Sequence, residues 1–178
     1  MNLKKGTSVA LSATVALGAI ALTPATSEAT TDAKLIGSGR HETAIKVSQN
    51  GWKTSNSVVL VNDSAIADAL AATPFAEEIG APILLTGSSR LNSATKNEVK
   101  RLGAKNVYLI GGKAVLSDSL KKELENINSN MKISRISGET REETAIEIAK
   151  ILNGIKPVKK IAVVNGKTGL ADAFIFED

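Results

Sequence analysis

Short apolar runs rich in β-branched residues alternate with helical patterns along most of this chain. The runs that predict strands are Ser57–Val61, Ile83–Thr86, Val107–Ile110, Lys132–Ile136 and Lys160–Val164. Several are almost wholly apolar, as expected of strands that are buried on both faces of a sheet. Strict alternation of strand and helix favours βαβ units with right-handed crossovers. The sequence therefore predicts an α/β fold with a parallel sheet.

The segments between these runs carry helical periodicity. Two sets of apolar residues recur at helical spacing: Leu116, Leu120, Leu124 and Ile127 in one segment, and Ala145, Ile148, Ala149 and Leu152 in another. A helix in the segment "SATKNEVKRLG" is predicted to end at Gly103, because glycine suits the left-handed position after a helix. In the helix near residues 67–80, Pro74 predicts a kink or a break, since proline has no amide hydrogen.

One motif occurs twice. "KLIGSGRHETAIKVS" at residues 34–48 aligns without a gap with "RISGETREETAIEIA" at residues 135–149, an offset of 101 residues as from Arg40 to Arg141. Further on, "VVLVN" at 58–62 matches "IAVVN" at 161–165, and "ADAL" at 67–70 matches "ADAF" at 171–174. We therefore expect one complete repeat at residues 30–136 and the start of a second, truncated repeat at 137–178.

The first residues have the pattern of a secretory signal peptide. Lys4 and Lys5 form a short positive region, and an apolar, uncharged stretch follows from residue 6 to residue 22. Ser27 and Ala29 are small residues at the positions that precede a cleavage site. Residues 1–29 are therefore predicted to be removed on export, although the apolar stretch also has nearly the length of a membrane anchor.

The motifs together resemble the cell wall-binding repeat 2 family of Gram-positive surface proteins. The resemblance rests on "RISGETREETAIEIA", "VVLVNDSAIADALAATPFAEEIGAPILLTG" and "VYLIGGKAVLSDSLKKEL", which keep the order and spacing of the family and cover nearly all of the chain after residue 29. The chain departs from the family at the aromatic residue after the motif arginine, where it has His41 in one copy and Glu142 in the other.

This resemblance implies a Rossmann-like module of alternating strands and helices. Such modules usually occur three times in a pseudo-threefold trimer, and they attach exported proteins to an anionic secondary wall polysaccharide. The expected function is thus non-catalytic binding at the cell wall or cell surface. Two alternatives are the N-terminal fragment of a wall-lytic amidase or surface protease, and a small-ligand protein that uses the "LIGG" turn. A homo-oligomer or pseudo-trimer is expected only if further repeats exist.

The motif arginines are the first candidate ligand residues. Arg40 and Arg141 are predicted at the first position of their helices, where a guanidinium and a helix N-terminus together can bind an anion. The alternative for each arginine is an ion pair that fixes the preceding turn. The neighbouring residues are read as helix caps: Thr140 and Glu143 form a capping box, Glu42 takes the same place in the first copy, and Asp68 favours a helix start.

The ends of two predicted strands supply the remaining candidates. In open α/β sheets, ligands bind outside the carboxyl ends of the strands. Thr86, Ser88 and Arg90 follow one strand with groups that suit a polyol or a phosphate. Gly111 and Gly112 follow another, where they allow a ligand to approach the backbone or simply form a tight turn. The run "GGKAVL" does not continue as a dinucleotide-binding G-x-G-x-x-G fingerprint.

Composition argues against several other classes of site. The chain has no cysteine and one histidine, which excludes disulfides and cysteine-based zinc sites and leaves no usual catalytic zinc ligand set. No H-E-x-x-H or G-x-S-x-G motif occurs. The formal net charge of +4 is too small to indicate nucleic acid binding. We therefore expect no catalytic residues, no metal and no cofactor.

Overall fold

The computed structural model describes residues 35–165. The predicted signal peptide and the second copy of the "ADA" motif, with Asp172, lie outside the described residues. Within them the structure has four strands, β1 Ser57–Asn62, β2 Ile83–Thr86, β3 Asn106–Ile110 and β4 Lys132–Ile136. The helices are α1 Arg40–Gly51, α2 Ile66–Glu78, α3 Ser93–Leu102, α4 Ser119–Glu125 and α5 Arg141–Ile155. Four of the five predicted strands are thus confirmed.

The four strands form one parallel sheet in the order β2-β1-β3-β4. β1 is central: Leu60 pairs with Leu84 of β2 on one side and with Leu109 of β3 on the other. After β2 the chain crosses over β1 to continue the sheet on the other side, so the strand order reverses between β1 and β3. The predicted α/β parallel fold is confirmed.

Each face of the sheet has its own hydrophobic core. Val58 and Leu60 point into a cluster that includes α3 and α4, while Val59 and Val61 point into a cluster that includes α2 and α5. This division follows from the alternation of side chains along a strand. Because both faces are covered, β1 is apolar at successive positions, which explains why its sequence shows no polar alternation.

The helices begin and end largely where the sequence indicates. The Asn92 side chain accepts a hydrogen bond from the Ala94 amide at 2.9 Å and so caps α3, which ends at Gly103 in the left-handed conformation with φ 68°. Of the kink or break predicted at Pro74, the break is wrong, since α2 continues through this residue; the kink stays a prediction. The buried side chain of Phe75 holds this part of α2 against the sheet, so the helix tolerates the missing amide donor.

The predicted fifth strand, Lys160–Val164, is not formed. This segment is irregular, and the side chains of Ile161 and Val163 are 73% and 91% exposed. Its sequence counterpart, β1, is a strand because β2 and β3 supply hydrogen-bond partners on both sides. Within residues 35–165 no second pair of strands is available to hold residues 160–164, so their high β-propensity alone does not produce a strand.

Candidate ligand site at the carboxyl edge of the sheet

All four parallel strands end at one edge, and the loops that follow them form the candidate site. They span residues 63–65 after β1, 87–92 after β2, 111–118 after β3 and 137–140 after β4. The reversal of strand order lies between β1 and β3, where open α/β sheets place their ligands. The candidate loops predicted from the sequence, those containing Arg90 and Gly112, therefore lie at the same edge.

The turn after β3 requires glycine at its first position only. Gly111 has φ +107°, and a Cβ there would lie 3.2 Å from Asp68 Oδ2 and from Val115 Cγ1. Gly112 lacks a positive φ, and nothing lies near the place of its Cβ. Glycine is thus required at position 111 because the backbone passes close to Asp68 and Val115. At Gly112 the space beside the backbone is open, as the approach of a ligand would require.

Asp68 lies in the first turn of α2, beneath the turn at Gly111. Burial raises the pKa of this carboxyl group, and the positive charge of Arg141 partly opposes that rise. The dipole of α2 favours a negative charge at this position, because Asp68 lies in the first turn of the helix. The structure therefore links Arg141, from the second copy of the motif, to an acidic residue of the first repeat.

In the loop after β2, the hydroxyl groups of Thr86 and Ser88 donate hydrogen bonds to backbone carbonyls. Thr86 is fully buried, and its Oγ1 donates to the Arg90 carbonyl at 3.2 Å. Ser88 Oγ donates to the Val115 carbonyl at 2.9 Å, which ties this loop to the loop after β3. The side chain of Arg90 is exposed at the same edge. Arg90 is thus the group of this loop that is placed for contact with a ligand in solution.

A second basic group at this edge was missed by the sequence analysis. Arg135, near the end of β4, donates to the Gly111 carbonyl at 2.7 Å and lies 3.2 Å from Asp118 Oδ1. Its Nε is buried and has no hydrogen-bond partner in the described part of the chain. Lys113 Nζ lies 2.8 Å from Asp118 Oδ2 and is largely exposed, and the hydrogen bond from Lys113 is the main cause that lowers the pKa of Asp118. The available signal was a charged residue one position before the end of a predicted strand.

Arg40 contacts the chain after β1. Its Nη1 donates to the Asp63 carbonyl at 2.6 Å, while the rest of the side chain is exposed. His41 Nε2 lies 3.2 Å from Asp63 Oδ2, but it is not aligned for a hydrogen bond. Arg40 therefore stabilises the loop that follows β1. This contact is not the predicted ion pair to the preceding turn, because its acceptor is a carbonyl oxygen of the loop after β1. Anion binding by Arg40 stays a prediction.

Of the residues predicted as helix caps, Thr140 and Glu143 make hydrogen bonds at the start of α5. Thr140 Oγ1 accepts from the Glu143 amide at 3.1 Å, and Glu143 Oε2 accepts from the Glu139 amide at 2.7 Å. The return bond thus reaches one residue further back than a standard capping box. In the first copy Gly39 has no side chain for a cap, and Glu42 Oε2 lies 3.1 Å from the place of its Cβ.

The two copies of the motif share one local geometry. The Gly37 amide donates to Thr43 Oγ1 at 3.0 Å, and the Gly138 amide donates to Thr144 Oγ1 at 3.0 Å. A Cβ on either glycine would overlap with the glutamate of the following helix turn. This restriction explains why both copies have glycine there. The repeat found in the sequence is therefore also a repeat of structure at the start of α1 and α5.

Residues 35–165 show neither a membrane-spanning helix nor a metal-binding cluster. In this part of the chain, no helix has the length and apolar character needed to cross a membrane. Nor does it contain a cluster of three or more His, Asp or Glu residues that could hold a metal ion. An open depression beside α5 is lined by Glu139, Glu143 and Glu147 among others. Its acidic rim makes it less suited to an anion than the edge that carries Arg90 and Lys113.

The structure thus defines a parallel α/β module with a repeated helix-start motif and with exposed cations at its carboxyl edge. Comparison with known proteins identifies the family of this module. Residues 34–121 match the family model "Cell wall binding domain 2". The chain belongs to this family of cell wall binding domains.

Related proteins support the assignment. The chain is 33% identical over 130 residues to the N-acetylmuramoyl-L-alanine amidase LytC of Bacillus subtilis, covering 73% of this chain and 25% of the amidase. The structure is similar to Cwp6 from Clostridium difficile, with a TM-score of 0.75 and 38% identity over 78% of this chain and 22% of Cwp6. Cwp8 from the same organism has a TM-score of 0.67 and 36% identity, covering 78% of this chain and 24% of Cwp8. The chain thus spans a quarter or less of each.

Proposed function

We propose that the protein is an exported, non-catalytic module that binds an anionic secondary polysaccharide of the Gram-positive cell wall. Residues 1–29 direct export in this proposal, and the protein acts at the cell surface. Membership of the cell wall binding domain 2 family is the observation that carries the proposal. The proposed repeat boundaries are 30–136 and 137–178.

The carboxyl edge of the sheet is the proposed contact surface. Arg90 and Lys113 expose positive charge there, on two loops that the bond from Ser88 to the Val115 carbonyl holds together. The open space beside Gly112 lets a sugar or phosphate group approach the backbone. Contacts of exposed cations with an anionic polymer are individually weak and sensitive to salt, so affinity would come from several such contacts along the polymer.

The test is retention of the mature protein on purified cell walls, compared with walls from which the anionic polymer has been stripped. We expect retention on intact walls and its loss on stripped walls. We also expect the double variant Arg90→Gln, Lys113→Gln to bind less and to show a weaker dependence of retention on salt. Equal retention on both kinds of wall would contradict binding through the anionic polymer.

A matched control removes two lysines from the opposite edge of the sheet. Lys105 and Lys132 are exposed near the amino ends of β3 and β4, and the backbone bond between them, Lys132 N to Lys105 O at 2.8 Å, does not involve their side chains. Lys105→Gln, Lys132→Gln changes the net charge as much as the site variant does. If both double variants lose the same retention, net charge and not the carboxyl edge determines binding.

A second candidate is the binding part of a wall-lytic amidase. It is favoured by the 33% identity to the LytC amidase, of which this chain matches 25%. The coding sequence beyond Asp178 decides between the two candidates. A reading frame that continues into a catalytic domain would support the amidase, and release of new amino termini from purified peptidoglycan would measure its activity.

A further inference from the structure

The two copies of the motif helix bury opposite sides. In α1 the side chain of Ile45 packs against the core of the α3 and α4 face, whereas Val47 is 44% exposed. In α5 the equivalent residues have exchanged environments: Ile146 is 52% exposed and Ile148 is only 2% exposed. The same sequence motif is therefore used in two different ways within one chain.

Different elements cover the two helices. α1 lies against β2 and α3, and its buried Ser48 donates to Glu98 of α3 at 2.6 Å. α5 lies against α2 on the opposite face of the sheet, where Ile148 joins the cluster that contains Phe75. Lys156 Nζ, just after α5, lies 3.3 Å from Glu78 Oε2 at the end of α2. The packing of α5 on α2 thus joins the start of the second repeat to the first repeat.

Helix geometry allows both docking modes at once. Successive residues are separated by roughly 100° around an α-helix, so positions two apart point to nearly opposite sides. Both positions carry aliphatic residues in both copies, Ile45 and Val47 in α1, and Ile146 and Ile148 in α5. A helix that is apolar on opposite sides is suited to burial between two layers.

We propose that the motif helix is shared between successive repeats. One side, marked by Ile148, packs on α2 of the repeat that precedes it. The opposite side, marked by Ile146, packs against the second repeat's counterparts of β2 and α3. In the first copy, β2 and α3 cover Ile45 in the same way. On its side of α5, Ile146 lines an open depression together with Gly138 and Lys150, which leaves room for these elements. The surface contains neither Arg90 nor Lys113, and the proposal does not depend on wall binding.

The experiment uses single cysteines, since the chain has none of its own. Ile146→Cys is placed in the full chain and in a lengthened chain, in which residues 71–155 are appended after Phe174 to complete the second repeat. Thiol labelling should be fast in the full chain and about tenfold or more slower in the lengthened chain, because the added elements protect residue 146. Val47→Cys is the matched control and should label at the same rate in both chains, since nothing is added before α1.

Fast labelling of Ile146→Cys in the lengthened chain would overturn the proposal, whether the added segment folds elsewhere or remains unfolded. Equal slowing of Val47→Cys would overturn it as well, because the protection would then not be specific to this side of α5. A second variant, Ile146→Lys, places a charge where the added elements are proposed to pack. In the lengthened chain the added repeat should then unfold at a lower urea concentration than the first repeat. In the full chain it should leave the urea midpoint unchanged, because Ile146 is already half exposed there.

Discussion

The buried carboxylate of Glu98 offers the sharpest test of how α1 is held in place. Its Oε1 accepts from Ser48 Oγ at 2.6 Å and from Arg101 Nη2 at 2.6 Å, and its Oε2 accepts from Arg101 Nε at 2.8 Å. Arg101 also donates to the carbonyls of Trp52 and Lys53, directly after α1. Glu98 and Arg101 thus join α1 to α3.

We predict that Glu98→Gln lowers the free energy of unfolding by about 2 kcal/mol. Glutamine keeps the size of the side chain but turns one acceptor oxygen into an amide nitrogen, which cannot accept. At least one of the three bonds is therefore lost and the others become neutral, a loss of about 1 kcal/mol for each bond. Because the Arg101 side chain is about one-third exposed, solvent screening reduces this sum. With a slope of about 2 kcal/mol per M, the urea midpoint should fall by about 1 M.

Glu147→Gln is the matched control for this prediction. Glu147 pairs with Lys150 at 2.7 Å on α5, also three residues apart, but both side chains are well exposed. Such a surface pair contributes at most about 0.5 kcal/mol. Equal losses for Glu98→Gln and Glu147→Gln, or no loss for Glu98→Gln, would refute the reasoning that burial gives the first pair its strength.

The pH dependence of the same variant has a defined sign. Burial acts to raise the pKa of Glu98, but the hydrogen bonds from Arg101 and Ser48 outweigh it, and the pKa is lowered. A carboxyl group with a lowered pKa stabilises the fold above its unfolded pKa, about 4.3, and loses this contribution as the pH falls through its folded pKa. The difference in free energy of unfolding between the parent protein and Glu98→Gln should therefore stay constant above about pH 5. It should become smaller below about pH 4.

Three further outcomes are expected in urea unfolding. Gly111→Ala should lower the free energy of unfolding by about 1–3 kcal/mol, because residue 111 has a positive φ and a Cβ there would contact Asp68. Gly112→Ala should change it by less than about 0.5 kcal/mol, and equal effects of the two substitutions would contradict this. Thr140→Ala should cost about 1 kcal/mol through loss of the α5 cap, with faster amide exchange in the first turn as the local readout. Asp68→Asn should gain stability relative to the parent as the pH rises above about 4, because burial raises the pKa of Asp68 and its ionisation destabilises the fold; a gap that shrinks with pH would refute this.

Some features were predictable because their signals are local. The strands β1 to β4 follow from runs of apolar, β-branched residues, and Gly103 marks the end of α3 because only a few residue types adopt a left-handed cap easily. The segment 160–164 has the same kind of signal but forms no strand in the described structure. A strand also needs a hydrogen-bonding neighbour, and that requirement is not visible in the segment itself.

The candidate site was predictable in its location but not in its composition. Strand ends in a parallel α/β fold lie at one edge, so Arg90 and Gly112 were found from their positions in the sequence. Arg135 was missed because its role depends on the packing of β4 beside β3, which brings its guanidinium to the Gly111 carbonyl. The Thr86 hydroxyl was a candidate for ligand contact, but the fold buries it against the Arg90 carbonyl.

The sequence by itself determined the α/β class, the repeated motif and the resemblance to wall-binding modules, since these depend on periodicity and on residues that are close along the chain. Only the tertiary structure decided the strand order, the neighbours of Asp118, and which side of each motif helix is buried. The helices α1 and α5 show the physical reason. Their sequences are closely similar, yet Val47 is exposed and Ile148 is buried, because burial is set by the elements packed against a helix and not by the helix alone.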